Sequence, residues 1–324
     1  MAIDAAGAPR ILILRRDNIG DLVCTTPLLD ALRAQLPRAW LGALVTTYNA
    51  EVLAGNPALD EVFVYEKLKH RTGGLLSHLR SRLVQLSGLR GRRIDQVLVP
   101  SPSPQSLKLA RSLKPGQVIA APSAVDRNIH EVERSFALGR TLGIRGKPGT
   151  MRVFPDPDKK AELLRTVGGG PFIAVHISAR RPAQRWPLER YAELIAYLSL
   201  HAKVVLLWAP GASDNPRHPG DDEAAAEVLR RIKGGTAFPL PTPDLKTLIA
   251  ALSLADFVVC PDGGAMHLAA ALGKPVVALF GDSPVERWRP WGVPHRVVQP
   301  ASRNLADLPL QAVVAACAEL SRPG

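Results

Sequence analysis

Short aliphatic segments alternate with segments of helical periodicity along almost the whole chain, and this alternation limits the fold more than any other feature. Because right-handed crossovers bury both faces of a parallel sheet, the alternation predicts an α/β protein built from doubly wound parallel sheets. The candidate strands are residues 11–14, 41–45, 61–65, 96–100 and 117–121 in the first half, and 172–178, 203–210, 256–260 and 275–280 in the second.

A cluster of Gly and Pro at residues 141–160 separates the two sets of strands. We therefore expect two Rossmann-like domains, residues 1–152 and 153–324. The helices expected in the second are residues 187–201, 222–234 and 244–254 and a terminal amphipathic helix at 306–321. Ligands of open α/β sheets bind at the carboxyl ends of the strands, so strand-to-helix turns facing a cleft between the domains are expected to form the site.

Composition describes an ordinary folded protein, with 46% hydrophobic residues among 324. The first residues lack the features of a signal peptide, and no apolar run approaches the roughly 20 residues that span a bilayer, so a cytoplasmic protein is expected. The cysteines, Cys24, Cys260 and Cys317, are odd in number and lack metal-ligand spacing. This indicates buried thiols rather than disulfides or a zinc site.

Positive charge is concentrated in the first half of the chain, where residues 1–150 carry 21 Lys and Arg against 12 Asp and Glu. Residues 67–93 contribute eight of these cations and no acid, with leucines at helical spacing. Such a helix either packs on its own domain with a solvated face, or lies on an anionic membrane or substrate. Nucleic acid fits less well, because aromatic residues are only 5% and no stacking motif is present.

The turn after the strand at 256–260 reads Pro-Asp-Gly-Gly. Gly263 and Gly264 permit close approach of backbone, and a helix that begins near Ala265 would present its first amides to an anion such as a diphosphate. His267 would lie in the first helical turn, able to donate to a phosphate oxygen. The alternative is an ordinary tight turn in which Asp262 caps the helix and His267 is a satisfied helical residue.

The turn after the strand at 172–178 carries Arg180, Arg181 and Arg185 before a helix that Pro187 can start. Three guanidinium groups so close together can neutralise a diphosphate, although solvation at the surface explains one or two of them equally well.

The first strand leads into Arg15, Arg16, Asp17 and Asn18, after which Gly20 and Asp21 open a helix. The Asp21 carboxylate either caps that helix or takes a proton from an incoming hydroxyl. The spacing GxGxxG is missing, which counts against a dinucleotide oxidoreductase.

Taken in order, these motifs resemble glycosyltransferase family 9, the ADP-heptose:lipopolysaccharide heptosyltransferases. The motifs are RRDNIGDLVCTTPLLDAL (15–32), AQRWPLERYAELI (183–195), PDGGAMHLAAALGKPVVALFG (261–281) and WRPWG (288–292), and HEVERSFALGRTLGI (130–144) is similar to a late helix of the family's N-terminal domain. The resemblance implies a GT-B fold of two Rossmann-like domains facing a cleft. It also implies an inverting transferase that needs no metal or other cofactor and takes an ADP-sugar as donor.

The resemblance further implies roles for the residues of the turns. Asp21 becomes the general base, and its neighbours Arg15, Asn18 and Gly20 are assigned to acceptor binding in the N-terminal domain. The expected donor-binding residues of the C-terminal domain are Ser178, Arg180, Arg181, Gln184, Arg185, Asp222, Glu223, Asp262, Gly263, Gly264 and His267.

Two departures from the family pattern affect the donor site. Gln184 stands where relatives usually carry a phosphate-binding lysine, and we expect Arg185, or Arg180 and Arg181, to supply the missing charge. Gly263 stands where Thr or Ser is common, which removes a hydroxyl but keeps the backbone amides.

The resemblance implies as partners a nucleotide-sugar donor and an anionic lipid A-core acceptor at the inner leaflet, with residues 67–93 available for peripheral membrane contact. Two other functions stay open: a nucleotide-sugar epimerase or hydrolase of GT-B-like fold, and a non-catalytic nucleotide-binding protein with tandem Rossmann domains.

Overall fold

The computed structural model describes residues 7–65, 87–122, 126, 128–214 and 220–320, which divide into two compact units, Met1–Gly149 and Thr150–Gly324. The division lies three residues before the boundary expected from the sequence. Most of the basic segment at 67–93 falls outside the described residues. Of its last part, Leu89 is buried in the core of the first unit.

The described part of the first unit forms a five-stranded parallel sheet in the order β3-β2-β1-β4-β5. Its strands are β1 (Arg10–Leu14), β2 (Trp40–Thr46), β3 (Glu61–Tyr65), β4 (Gln96–Val99) and β5 (Gln117–Ala120). The helices are α1 (Ile19–Val23), α2 (Thr26–Gln35), α3 (Pro104–Ser112) and α4 (Glu131–Arg140), with a 3-10 turn at Ala50–Leu53. The aliphatic residues of β1 are buried on both faces, as expected of a central parallel strand.

The described part of the second unit forms a six-stranded parallel sheet in the order β11-β10-β9-β6-β7-β8. Its strands are β6 (Phe172–His176), β7 (Lys203–Trp208), β8 (Phe238–Pro241), β9 (Phe257–Pro261), β10 (Val276–Leu279) and β11 (His295–Val298). The helices are α5 (Pro157–Thr166), α6 (Leu188–Ser199), α7 (Asp222–Arg231), α8 (Leu245–Leu254), α9 (Gly264–Ala271), α10 (Val285–Trp288) and α11 (Leu310–Leu320). Further 3-10 turns lie at Pro182–Gln184 and Leu305–Asp307.

Each sheet reverses its strand order once, between β1 and β4 in the first unit and between β6 and β9 in the second. Loops leaving such neighbouring strands run to opposite faces of the sheet and open a crevice at the carboxyl edge, where ligands of open α/β sheets bind. The turns picked out from the sequence follow β1, β6 and β9. All three therefore begin beside a reversal point of their own sheet.

The sequence-based assignment fails at several element ends. Two strands, β8 and β11, were not predicted at all. The strand expected at 172–178 ends at His176, which leaves Ser178 in the following loop. The terminal helix begins at Leu310 rather than residue 306, because a separate 3-10 turn at Leu305–Asp307 precedes it.

Candidate active site

The segment from the end of β1 into the first turn of α1, residues 15–21, places carboxylates around a buried arginine, and we call it the acidic turn. The Arg15 side chain is 0% exposed, and its Nε lies 3.0 Å from Asp17 Oδ1. Its Nη2 lies 3.0 Å from Asp21 Oδ1 and 2.8 Å from Glu131 Oε1. Burial alone would lower the pKa of Arg15, but the charges of the three carboxylates raise it above its ordinary value.

Asp21 is held through both of its carboxylate oxygens. Oδ1 is the atom that meets Arg15, while Oδ2 accepts from the backbone N–H of Asn18 at 3.2 Å and from Asn18 Nδ2 at 2.9 Å. These contacts make Asn18 and Asp21 the capping box of α1. The Asp21 side chain nevertheless remains 13% exposed at the carboxyl edge of the sheet. The carboxylate thus caps the helix, as one reading of the sequence expected, and is still open to an incoming group.

Asp17 shares the acidic turn with Asp21. Burial raises the pKa of Asp17 to about 6, with the Arg15 charge opposing this shift and the Asp21 charge adding to it. A hydrogen bond with Ser101 also favours the charged form. Asp17 is therefore the carboxyl group of this turn whose charge changes in the range just below neutral pH.

Glu131 belongs to the same cluster, although the sequence reasoning did not select it. It lies in the first turn of α4, where His130 Nδ1 caps the helix by accepting from the N–H of Val132 at 3.1 Å. Glu131 is 0% exposed. The sequence places Glu131 in the motif at 130–144 and in the first turn of an amphipathic helix, but an acidic residue at that position is usually explained by the helix dipole.

The turn between β9 and α9, residues 262–264, has different chemistry, and we call it the glycine turn. The Asp262 carboxylate is turned into the unit, 7% exposed, and accepts from Gln184 Nε2 at 2.8 Å. Burial raises the pKa of Asp262, while a hydrogen bond with Ser283 opposes the shift. Because α9 begins at Gly264, the helix presents its first amides at the carboxyl edge of the sheet.

Gly263 lies in the glycine turn, and His267 lies one helical turn further along α9. The backbone of Gly263 is extended, and a Cβ built there would meet nothing within 4 Å. His267 is only 3% exposed, and its ring packs edge-to-face on Trp288 with centroids 5.9 Å apart. This packing joins the glycine turn to the WRPWG motif.

Besides the hydrogen bond from Gln184 to Asp262, the loop after β6 contacts Ser283. Ser283 Oγ accepts from Arg181 Nη2 at 2.8 Å and lies 3.4 Å from Gln184 Nε2. Arg181 also forms an ion pair with Asp282, with Nη2 2.9 Å from Oδ1. Arg181 is therefore the arginine of this loop that is fixed beside Asp262 and Gln184, whereas Arg185 donates its Nε–H to the carbonyl of Ala179 at 3.1 Å. Arg180 is exposed on the same loop.

The remaining predicted donor residues cluster where β7 ends. Ser178 Oγ accepts from the N–H of Ala209 at 2.8 Å. Asp222 accepts from Trp208 Nε1 at 2.7 Å and from the N–H of Gly211 at 2.9 Å, and these bonds lower its pKa. Glu223 Oε2 lies 3.3 Å from Ser213 Oγ at the surface. Asp222 thus anchors the loop after β7.

Asp221 was not selected from the sequence. Burial raises the pKa of Asp221, and a hydrogen bond with Ser178 opposes the shift. Asp221 therefore joins the loops that follow β6 and β7.

Across the ranges that the structure describes, no group of three or more His, Cys, Asp or Glu side chains is arranged to hold a metal ion. The three cysteines are buried and free, as predicted. Within the same ranges, every helix is too short or too polar to cross a bilayer.

Comparison with known proteins agrees with these motifs. The family model described as glycosyltransferase family 9 (heptosyltransferase) matches residues 112–312. The chain is 25% identical over 325 residues to lipopolysaccharide heptosyltransferase 1 of Escherichia coli (strain K12), covering 94% of this chain and 98% of that protein. It is 24% identical over 310 residues to lipopolysaccharide heptosyltransferase 3 of the same strain, covering 90% and 87%.

Solved structures agree in fold. A glycosyl transferase family 9 protein from Veillonella parvula DSM 2008 superposes with a TM-score of 0.84 at 20% identity, covering 97% of each chain. An E. coli heptosyltransferase solved with ADP gives 0.77 at 20% identity, covering 96% of this chain and 100% of that one. These likenesses show the GT-B fold expected from the sequence. Because the family model covers well over half of its length, this chain belongs to glycosyltransferase family 9 and is a heptosyltransferase-family glycosyltransferase.

Proposed function

We propose that this glycosyltransferase moves a heptose from ADP-heptose to the inner core of lipopolysaccharide, with inversion at the anomeric carbon, without a metal ion, and with Asp21 as general base. The observation that carries the proposal is the Asp21 carboxylate, held through both oxygens by Arg15 and Asn18 and still 13% exposed beside the reversal point of the first sheet. The heptosyltransferase relatives support the class of sugar and of acceptor.

In the proposed reaction an acceptor hydroxyl attacks the anomeric carbon on the face opposite the diphosphate. The new C–O bond forms as the bond to the diphosphate oxygen breaks, the hydroxyl proton passes to Asp21, and ADP leaves with the bonding electrons. Negative charge grows on the leaving diphosphate. The amides at the start of α9 and the Arg181 guanidinium are the groups that would stabilise this charge in the second unit.

Gln184 makes the proposed donor site of this chain differ in charge from the family pattern. Where a lysine would bring a positive charge, Gln184 donates a neutral hydrogen bond to the buried Asp262. We propose that Arg181, fixed to Ser283 beside Gln184, supplies the cation instead, and that Arg180 and Arg185 contribute less. The proposed acceptor is an anionic lipid A-core molecule, and the basic residues 67–93 would favour peripheral contact with the inner leaflet.

The test is calorimetric titration of the purified chain with ADP, UDP, GDP and NAD, with and without magnesium, followed by incubation with ADP-heptose and a heptose-free lipid A acceptor. We expect metal-independent preference for ADP and a product heavier by one heptose, with inverted anomeric configuration by NMR. Preference for UDP or GDP would assign another donor, and hydrolysis without an acceptor product would favour the hydrolase. Binding of NAD alone, or nucleotide binding without turnover, would reject the transferase.

A further inference from the structure

The cluster around Arg15 contains a carboxylate that the proposed reaction does not use. Glu131 Oε1 lies 2.8 Å from Arg15 Nη2, the same nitrogen that lies 3.0 Å from Asp21 Oδ1. A guanidinium Nη carries two hydrogens in a fixed plane, so a single nitrogen bridges the two carboxylates. The direction in which Arg15 presents a hydrogen to Asp21 is therefore tied to where Glu131 lies.

Glu131 is itself fixed from several sides. Its helix is capped at His130, and its Oε1 lies 3.5 Å from Arg134 Nη1. Arg134 donates to the carbonyls of Pro100 and Pro122, at 3.0 and 2.9 Å, just beyond the ends of β4 and β5. These contacts connect the start of α4 to the carboxyl edge of the first sheet.

A surface salt bridge has little influence on geometry, but this cluster is buried. The Arg15 and Glu131 side chains are 0% and 1% exposed, so water cannot replace either partner. Asp21 is partly exposed, at 13%, and its lone pairs have to point at the acceptor hydroxyl for proton transfer to occur.

We infer that Glu131 is a positioning residue, which acts through Arg15 to orient the Asp21 carboxylate toward the acceptor hydroxyl. This inference rests on the proposed function in taking Asp21 as the base. It adds to the proposed catalytic site of the first unit a residue from a helix that is distant in sequence. Because Glu131 is buried, its removal is expected to lower the rate of the chemical step and to leave the binding of the donor unchanged.

The experiment measures single-turnover transfer, with enzyme in excess over the acceptor and ADP-heptose saturating, and the steady-state donor KM, for the wild-type chain, Glu131→Gln and Glu131→Ala. Glutamine keeps an oxygen for Arg15 but loses the charge, so the rate should fall about tenfold with Gln and about a hundredfold with Ala, with the donor KM unchanged within about twofold. The matched control is Glu133→Gln, which removes an exposed carboxylate from the same turn of α4 and should leave the rate unchanged. An unchanged rate in both Glu131 variants, or a fall equal to that of Glu133→Gln, would overturn the inference while the proposed function stood.

A second measurement does not depend on the reaction. Melting temperatures of Glu131→Gln, Asp21→Asn and the double variant form a cycle, and coupling through Arg15 predicts a deviation from additivity of roughly 2–4 °C. The cycle of Glu133→Gln with Asp21→Asn should be additive. A wild-type chain that transferred no heptose would reject the proposed function, whereas an additive Glu131 cycle in a chain that does transfer heptose would overturn the positioning inference alone.

Discussion

The acidic turn and the glycine turn occupy equivalent places in two similar sheets, yet their chemistry is opposite. Both follow a central parallel strand beside a reversal of strand order. In the acidic turn two carboxylates, joined by Glu131 from α4, surround one buried guanidinium, and Asp21 stays partly exposed. In the glycine turn the Asp262 carboxylate is turned inward, and helix amides and Arg181 lie at the edge. The two turns occupy equivalent positions, and their different side chains are the basis for proposing that the acidic turn accepts a proton and the glycine turn binds an anion.

Among substitutions near the glycine turn, Arg181→Ala is expected to reduce ADP affinity the most. Arg181→Ala removes the cation fixed to Ser283, and the loss of charge-assisted hydrogen bonds should weaken ADP binding about tenfold to a hundredfold. Arg185→Ala is the matched control, since Arg185 is bound to the carbonyl of Ala179 and should cost less than about threefold. Calorimetry measures both. Equal losses would assign the phosphate charge to the loop as a whole rather than to Arg181.

In the acidic turn, Asp17 is expected to make the transfer rate depend on pH. Its pKa of about 6 means that Asp17 is charged above this pH and neutral below it. The charged form strengthens the negative potential at Asp21, so the transfer rate should fall by roughly threefold to tenfold as the pH drops through 6. Asp17→Asn mimics the neutral form. We expect this variant to show the lower rate at pH 7 and to lack the inflection near pH 6, and an inflection retained in Asp17→Asn would exclude Asp17 as its origin.

The smallest expected change is in the ADP affinity of Gly263→Ser. Because its backbone is extended and a Cβ has open space, Gly263→Ser should fold with an unchanged melting temperature. The added hydroxyl should strengthen ADP binding by about twofold to tenfold, the contribution of one hydrogen bond. Gly281→Ser gives the contrast, since a Cβ there would lie 2.1 Å from the carbonyl oxygen of Ala183 and should destabilise the second unit. A loss of ADP affinity in Gly263→Ser would mean that the bound diphosphate fills this space.

The fold was largely predictable because central parallel strands are continuous aliphatic runs. The two strands that were not predicted, β8 and β11, lie at the edges of the second sheet. The segment β8 carries Pro239 and Pro241, which are tolerated in an edge strand but usually argue against one. The segment β11 is short and begins with His295 and Arg296, so it lacks an aliphatic start.

Candidate site residues could be predicted where they directly follow a strand, but not where they come from segments distant in the sequence. Asp21, Arg181 and Asp262 could be chosen because each lies in a turn after an evident strand. Glu131 lies 116 residues from Arg15, and no spacing rule connects them. Ser283 likewise joins Arg181 from 102 residues away. Such contacts depend on how helices pack at the edge of the sheet, which the sequence pattern does not specify.

The most direct test of this division of roles is Asp21→Asn, with transfer rate and ADP affinity measured on one preparation. Asparagine keeps the size of the side chain but cannot accept the proton. We predict that transfer falls by roughly two to four orders of magnitude, while the Kd for ADP stays within about twofold of the wild-type value. Transfer that survives in Asp21→Asn, or ADP affinity lost together with transfer, would contradict the assignment of proton acceptance to the acidic turn and anion binding to the glycine turn.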